Sequence, residues 1–329
     1  MRAPVAERIL LLFNRASGSG HSRRLLDRVQ QAFRTELDGR RELSVETVDD
    51  HPAARSLTRD FFTGAQGASV IVAGGGGGTL RAVVEGVCDA SPRALPGPAR
   101  LRLGALRLGS GNVVAKRFGI PSDPIQAARE LASAVQARRS APCGVLRCRF
   151  GTASGGEDVR HAVTMCGLGQ FGRTPGVLAR WHRFLGDRRK ALVGFAGIER
   201  VNDFEYVAAA TGRLAASLAY PRLCERVEIG LQGRRERFRL LAGVVMKFPI
   251  RGIPFDPGVE IGEAAAGVCL LPLLGRPRVA RIDRRHSLRL RLLDRESVEF
   301  FLDEDPEQAY RELSVEVAGR LAFLPGLAA

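Results

Sequence analysis

At 329 residues the chain is too long for one ordinary hydrophobic core and long enough for two domains. The formal net charge of +15, carried almost entirely by arginine, indicates either attraction to anions or a generally basic solvated surface. Six scattered cysteines lack the paired spacing of zinc ligands, and no apolar run is long enough to span a bilayer, so we expect a soluble cytoplasmic protein with reduced thiols.

Up to about residue 140, short apolar runs alternate with helical patterns. Runs such as Ile9 to Phe13 have no polar alternation, which is typical of strands covered on both faces. Between such runs, apolar residues recur at helical spacing, as from Leu25 to Phe33. This alternation predicts an α/β domain with a doubly wound parallel sheet. The other predicted segments are strands at 43–47, 70–73 and 101–108 and helices at 53–62, 80–87 and 124–135.

Past Pro142 the pattern changes to short strand-like runs separated by Gly, Pro and charged turns. Such a pattern is typical of an antiparallel sandwich, so we expect a β-rich second domain. The segment from Thr174 to Arg200 is an exception, because it is helix-like and strongly basic. The strands predicted here are 145–150, 162–166, 214–218, 227–231, 238–245, 268–273, 288–292 and 298–302.

Five consecutive glycines, Gly74 to Gly78, separate a predicted buried strand from an amphipathic helical segment. Glycine tolerates positive φ and lets backbone N–H groups approach an anion closely, and a helix N-terminus adds the positive end of its dipole. The run therefore predicts a phosphate-binding loop, and a flexible linker is the alternative. It is not a P-loop, since no lysine follows the last glycine, and it lacks the spacing of a dinucleotide fingerprint.

Three N-terminal segments resemble motifs of the diacylglycerol kinase catalytic-domain family, which includes bacterial lipid kinases and sphingosine kinases. The glycine run with Thr79 is similar to the family's GGDGT motif, and Gly77 stands at the position of its aspartate. GSGN at 109–112 is similar to the family's GTGN motif, with Arg107 in place of a preceding proline. NRASG at 14–18 is similar to the NPxSG turn that follows the first strand.

A fourth segment, LDEDPE at 302–307, resembles the family's DGE motif and places Asp303 and Asp305 at its acidic positions. The resemblance implies that these are catalytic residues and that Asp305 is the general base for phosphoryl transfer to a hydroxyl. An exposed acidic turn is the alternative. Gly77, Ala82 and Val113 each stand where the family has an acid, so the resemblance identifies no metal ligands.

The resemblance implies a fold similar to that of diacylglycerol and NAD kinases. It implies a nucleotide-binding α/β domain at 1–141, joined by about 311–329, and a β-sandwich lipid-substrate domain at 142–310. ATP and Mg²⁺ are the implied cofactors, and a lipid alcohol such as diacylglycerol or a sphingoid base is the implied substrate. A catalytically degenerate member that binds nucleotide or anionic lipid is the alternative. The residues implied around the ATP phosphates are Asn14, Ser17, Gly18, Thr47, Gly74, Gly75, Gly76, Gly77, Gly78, Thr79, Gly109, Ser110, Gly111 and Asn112.

Aromatic and basic residues interleave from Arg180 to Phe184, in the helix-like segment of the second domain. Such a helix is suited to a membrane interface, with aromatics at headgroup depth and arginines on anionic lipid. Packing of Trp181 and Phe184 into the sandwich is the alternative. We therefore expect peripheral contact with an anionic membrane at the inner membrane surface. Nucleic acid is not expected as a partner because no recognised motif accompanies the charge, and a homodimer is left open.

Overall fold

The computed structural model describes residues 7–16, 23–37, 41–109, 112–185, 201–250, 253–303 and 305–327. The chain divides into two compact units, and both contain helices and strands. This content confirms the predicted mixed α/β class. Unit 1 comprises Met1–Val145, Ile261–Glu263 and Ala318–Ala329, and unit 2 comprises Leu146–Glu260 and Ala264–Val317.

Parallel strands form the centre of unit 1. Strands β1 to β4 are Arg8–Asn14, Glu42–Val48, Ser69–Gly75 and Leu101–Arg107. They lie in the order β2, β1, β3, β4 and all run in one direction. The chain's last strand, β14 (Asp305–Phe323), reaches β4 at its end, where Phe323 pairs in parallel with Leu103. The carboxyl ends of β1 to β4 therefore share one edge, where ligands bind in open parallel sheets.

Five helices connect or flank these strands. Helices α1 to α5 are Arg23–Glu36, His51–Thr63, Gly77–Ala90, Val113–Arg117 and Pro124–Gln136. Asp50 and Asp123 cap α2 and α5, accepting hydrogen bonds from the amides of Ala53 at 2.8 Å and Ile125 at 3.1 Å. Both helices carry proline in the first turn, where its missing N–H has no helical partner to lose.

Helices α2 and α3 pack closely and share a buried ion network. A Cβ on Gly86 would lie 2.4 Å from the backbone oxygen of Arg55, so glycine is required for this approach. The carboxylate of Glu85 accepts hydrogen bonds from Arg81 at 3.1 Å and Arg55 at 3.3 Å and is hydrogen-bonded to His51 at 2.9 Å. Burial alone would raise the pKa of Glu85, but the His51 hydrogen bond and the two guanidinium charges together lower it to about 2.

Unit 2 contains antiparallel strand pairs. Strands β5 to β13 are Ala141–Gly151, Glu157–Ala162, Met165–Leu168, Glu225–Leu231, Arg234–Met246, Ala265–Pro272, Arg278–Asp283, Leu288–Leu292 and Ser297–Leu302. One path of paired strands runs β11, β10, β9, β7, β13, β14, and a hairpin joins β13 to β14. Alternate residues along these strands, such as Leu288, Leu290 and Leu292, enter a common apolar core.

The helices of unit 2 are α6 (Gly169–Gly172), α7 (Thr174–Leu185) and α8 (Val201–Ala219). The predicted strand at 214–218 is wrong, because those residues lie in α8. Its sequence there is rich in alanine, whose helix propensity exceeds that of other residues, and the short apolar run misled the interpretation. Among the described residues, no helix is both long and apolar enough to cross a membrane.

We expect Glu85→Gln to destabilise the protein most near neutral pH. The pKa of Glu85 is lowered from 4.5 to about 2 on folding, so its ionised form contributes stability above pH 4.5. That contribution, about 3 kcal/mol, is lost as the pH falls from about 4.5 to about 2. Thermal unfolding of both proteins near pH 7 and near pH 3 should show that the difference in melting temperature narrows at the lower pH. An equal difference in melting temperature at both pH values would contradict the stabilising role of ionised Glu85 in the network.

Candidate functional site

The glycine run forms the junction between β3 and α3. Gly74 and Gly75 end the strand, Gly76 is the N-cap, and Gly77 and Gly78 begin the helix. All five lie within the described residues and none has a positive φ, so the expected left-handed backbone is not the reason for glycine here. The reason at two positions is space. A Cβ on Gly74 would lie 2.5 Å from the Phe13 ring, and one on Gly75 would lie 2.3 Å from the Thr79 hydroxyl.

The loop that follows β4 packs against this junction, backbone against backbone. A Cβ on Gly109 would lie 2.3 Å from the Cα of Gly76 and 2.9 Å from its nitrogen. The amide of Leu108 donates a hydrogen bond to the Gly75 oxygen at 3.2 Å. Two motifs that lie about 30 residues apart in the sequence therefore meet at the start of α3.

Backbone donors are concentrated at this point. The first hydrogen bond of α3 runs from the Leu80 amide to the Gly76 oxygen at 3.2 Å, so the amides of Gly77, Gly78 and Thr79 precede it. Gly76 has no side chain that could cap them. Three N–H groups at the positive end of a helix dipole are a suitable site for a phosphate group.

Two asparagines fix the surroundings of these donors. Asn14, at the end of β1, donates its side-chain amide to the Thr79 hydroxyl at 3.1 Å and accepts a hydrogen bond from the Ala16 amide at 2.9 Å. Asn112 has a positive φ of 52° and donates its side-chain amide to the Gly109 oxygen. Asparagine tolerates this conformation better than most residues, which explains its place before α4.

The structure therefore brings together Asn14, the glycine run, Thr79, Gly109 and Asn112. Thr47 lies one strand further out, where Phe13 pairs in register with Thr47 on one side and with Gly74 on the other. Four predicted site residues, Ser17, Gly18, Ser110 and Gly111, fall outside the described residues.

Asp303 and Asp305 belong to unit 2, at the hairpin between β13 and β14. The buried carboxylate of Asp303 accepts hydrogen bonds from the amides of Val163 and Thr164, both at 2.7 Å, from that of Met165 at 3.1 Å and from the Thr164 hydroxyl at 2.5 Å. These bonds anchor the turn, in which Asp303 has a positive φ of 50°. Asp305, half-buried, begins β14 on the other side of the turn.

Arg107 is a site residue that sequence reasoning noted only as a substitution. It ends β4 and pairs in register with Gly75. Its Nη1 donates to the Ile120 oxygen at 3.2 Å, and its Nε is buried with no partner among the residues that the structure describes. A charged residue at the end of a buried apolar strand is the signal that could have found it, but the register with Gly75 is not visible in the sequence.

Comparison with known proteins finds a matching family model and similar folds. Residues 8–141 match the family model for the diacylglycerol kinase catalytic domain. No curated protein sequence matches the chain. A diacylglycerol kinase structure from Bacillus anthracis str. Sterne is similar at a TM-score of 0.59 and 13% identity, covering 98% of this chain and 97% of that one.

Two further structures show a likeness of fold. One, from the same organism and provisionally assigned to the same enzyme class, has a TM-score of 0.65 at 14% identity, covering 99% of this chain and 100% of that one. Yeast NADH kinase complexed with NADH has a TM-score of 0.51 at 12% identity, covering 98% of this chain and 84% of that one. Asn14, the glycine run, Gly109 and Asn112 all fall inside residues 8–141, the segment that matches the family model for the diacylglycerol kinase catalytic domain.

Proposed function

We propose that this chain binds ATP and transfers its terminal phosphoryl group to the hydroxyl of a lipid such as diacylglycerol or a sphingoid base. One observation carries the proposal. Inside the family-matched segment, the backbone amides at the start of α3 have no side-chain cap, because the N-cap residue is Gly76. The names of the similar structures, diacylglycerol kinase and NADH kinase, support a nucleotide-dependent phosphotransferase.

In the proposed complex, the amides of Gly77, Gly78 and Thr79 donate to phosphate oxygens of ATP. Asn14 holds the Thr79 hydroxyl at 3.1 Å, and this fixes the first turn of α3 before the ligand arrives. Fixed donors cost no reorganisation when negative charge develops on a transferring phosphoryl group.

Asp305 is the proposed general base. As the lipid hydroxyl oxygen bonds to the terminal phosphorus, the hydroxyl proton passes to the Asp305 carboxylate, and ADP leaves with the electrons of the broken P–O bond. Asp303 is a positioning residue in this proposal. Its four hydrogen bonds to residues 163–165 hold the turn from which Asp305 extends.

A second candidate function is nucleotide binding without catalysis. A specific observation favours it, since Gly77, Ala82 and Val113 remove three acids that the family resemblance implies around the phosphates. Gly77 has no positive φ, so its backbone can accept a side chain. Restoring an aspartate at this position is therefore a fair test of the missing acid.

Helix α7 is the proposed membrane contact. Trp181 is 46% exposed and Phe184 is 90% exposed, so neither side chain packs into the core of unit 2. Arg180 and Arg183 are exposed on the same helix, and Arg180 lies 3.8 Å from Glu299. Exposed aromatics beside arginines suit the headgroup region of an anionic bilayer, where a lipid substrate would be met.

We expect the full chain to transfer label from radiolabelled ATP into the organic phase of a lipid extract. Asp305→Asn should lower this transfer about 10²–10⁴-fold, because an amide cannot take the acceptor's proton. Its melting temperature should stay near that of wild type, whereas Asp303→Asn should lower the melting temperature because the turn loses charged hydrogen bonds. Full activity in Asp305→Asn would show that the base is assigned wrongly.

The same assay separates the two candidate functions. If the chain is a kinase, Gly77→Asp should raise turnover in the presence of Mg²⁺. If wild type and Gly77→Asp both transfer no label while ATP still binds, the noncatalytic function is the right one.

We expect Phe184→Ala and Trp181→Ala to weaken binding to vesicles that contain phosphatidylserine. Each removes an exposed aromatic, and salt should weaken wild-type binding because the arginines contribute by charge. Vesicle sedimentation measures both effects. Leu274→Ala is the matched control, since Leu274 is 87% exposed in unit 2 but lies outside α7. Binding that is indifferent to salt and to both aromatic substitutions would rule out α7 as the contact.

A further inference from the structure

Three segments that follow strands of the parallel sheet contain no acid. They follow β1, β3 and β4, at 14–26, 74–84 and 107–122, and none includes Asp or Glu. Each contains arginine, among them Arg15, Arg81 and Arg107, and the third also contains Lys116. These three sequence segments therefore carry cations and no acid.

Three acids near these segments already have partners. Both oxygens of Asp49, after β2, are hydrogen-bonded by Arg15, at 2.9 and 2.7 Å. Asp50 caps α2 through the Ala53 amide. Glu85 is fully buried in its network with Arg81, Arg55 and His51.

These residues do not fit the Mg²⁺ that the family resemblance implies. Magnesium is held in kinases by one or two carboxylates together with substrate phosphates, and the segments around the glycine run offer none. Across the described residues, no group of three or more His, Cys, Asp or Glu side chains gathers in a way that could hold a metal ion. What these segments of unit 1 lack is acidic ligands for Mg²⁺. Without such a metal ion, another group must neutralise the charge of the phosphates.

Arg107 is placed to neutralise the charge of the phosphates. A Cβ on Gly75 would point at Thr79, so Gly75 faces the side of the sheet on which α3 lies. Residues paired across neighbouring strands share a face, and Arg107 pairs with Gly75. The Arg107 side chain therefore leaves β4 on the face where α3 begins, beside a residue without a side chain. The Ile120 oxygen takes only one of its donors, and the buried Nε has no partner among the described residues.

We propose that unit 1 binds nucleotide phosphates without a metal ion held by its own side chains, and that Arg107 supplies the positive charge in place of that metal. The inference rests on the proposed nucleotide site, and it holds whether or not phosphoryl transfer follows. Guanidinium groups suit this role because they stay charged at all ordinary pH values and offer several donors to phosphate oxygens.

The test is ATP binding to the full chain by calorimetry, with excess Mg²⁺ and with EDTA. We expect the two dissociation constants to differ by less than about threefold. Binding that needs Mg²⁺ would overturn this inference and leave the proposed nucleotide site intact. Absence of binding under both conditions would overturn the inference and the proposed function together.

Substitutions of Arg107 test whether its positive charge binds the ATP phosphates. Arg107→Ala should weaken ATP binding about tenfold, the usual effect of losing a charged hydrogen bond, and should leave adenosine binding unchanged. Arg107→Lys should recover most of the loss, because it keeps the charge. The control is Arg100→Ala, which removes an exposed arginine just before β4, at the opposite end of the strand. Equal losses for ATP and adenosine in Arg107→Ala, or ATP affinity unchanged by that substitution, would overturn the role assigned to Arg107.

Discussion

The backbone contact between Gly76 and Gly109 is the constraint on which the site depends. With a Cβ on Gly109 only 2.3 Å from the Gly76 Cα, any side chain there would push the two loops apart. Because Gly109 has no side chain, the loop after β4 lies directly on the start of α3. The amides of the first helical turn stay uncapped by any side chain of Gly76, and the polar groups around them come from Asn14, Thr79 and Asn112.

Such a site needs a helix whose position is fixed. Helix α3 packs against α2 through the close backbone approach at Gly86. The buried carboxylate of Glu85 also joins the two helices. Desolvation of the charged groups offsets much of the stability that a buried ion network provides. A network with several hydrogen bonds nevertheless fixes the relative position of the two helices. In this chain Glu85 of α3 is used for packing, and Gly77 and Ala82 stand at two positions where the family resemblance implies acids. The proposal that Arg107 neutralises the phosphate charge is consistent with the absence of acids at those two positions.

Much of unit 1 could be predicted from the sequence because its signals are local. The apolar run at 9–13, the glycine run and the capped helix after Asp123 each show their structure within about ten residues. The partners of distant segments could not be predicted. Asp303 is bound by residues that precede it by about 140 positions, and no local pattern shows that its carboxylate anchors a turn.

Two errors have the same origin. The run at 214–218 is short and apolar, so its sequence does not distinguish a strand from a helix. The alanines around it favour the helix. The sequence explains glycine at 74 and 75 by backbone freedom, whereas the structure shows that space is the reason: Phe13 and Thr79 occupy the places where the side chains would go. Neighbours across a sheet are set by register, and register is fixed by the packing of the whole unit.

The central claim, that the open amides at the start of α3 bind nucleotide phosphates, is tested most directly by ATP binding to Gly76→Asp. A Cβ at this position would meet only the Gly109 Cα, at 3.5 Å, so the fold should accept it. An aspartate N-cap would accept hydrogen bonds from the same amides, and it should hold or raise the melting temperature while lowering ATP affinity by about 100-fold. Gly76→Ala, which leaves the amides open, should bind far better. ATP affinity unchanged in a folded Gly76→Asp protein would contradict the account.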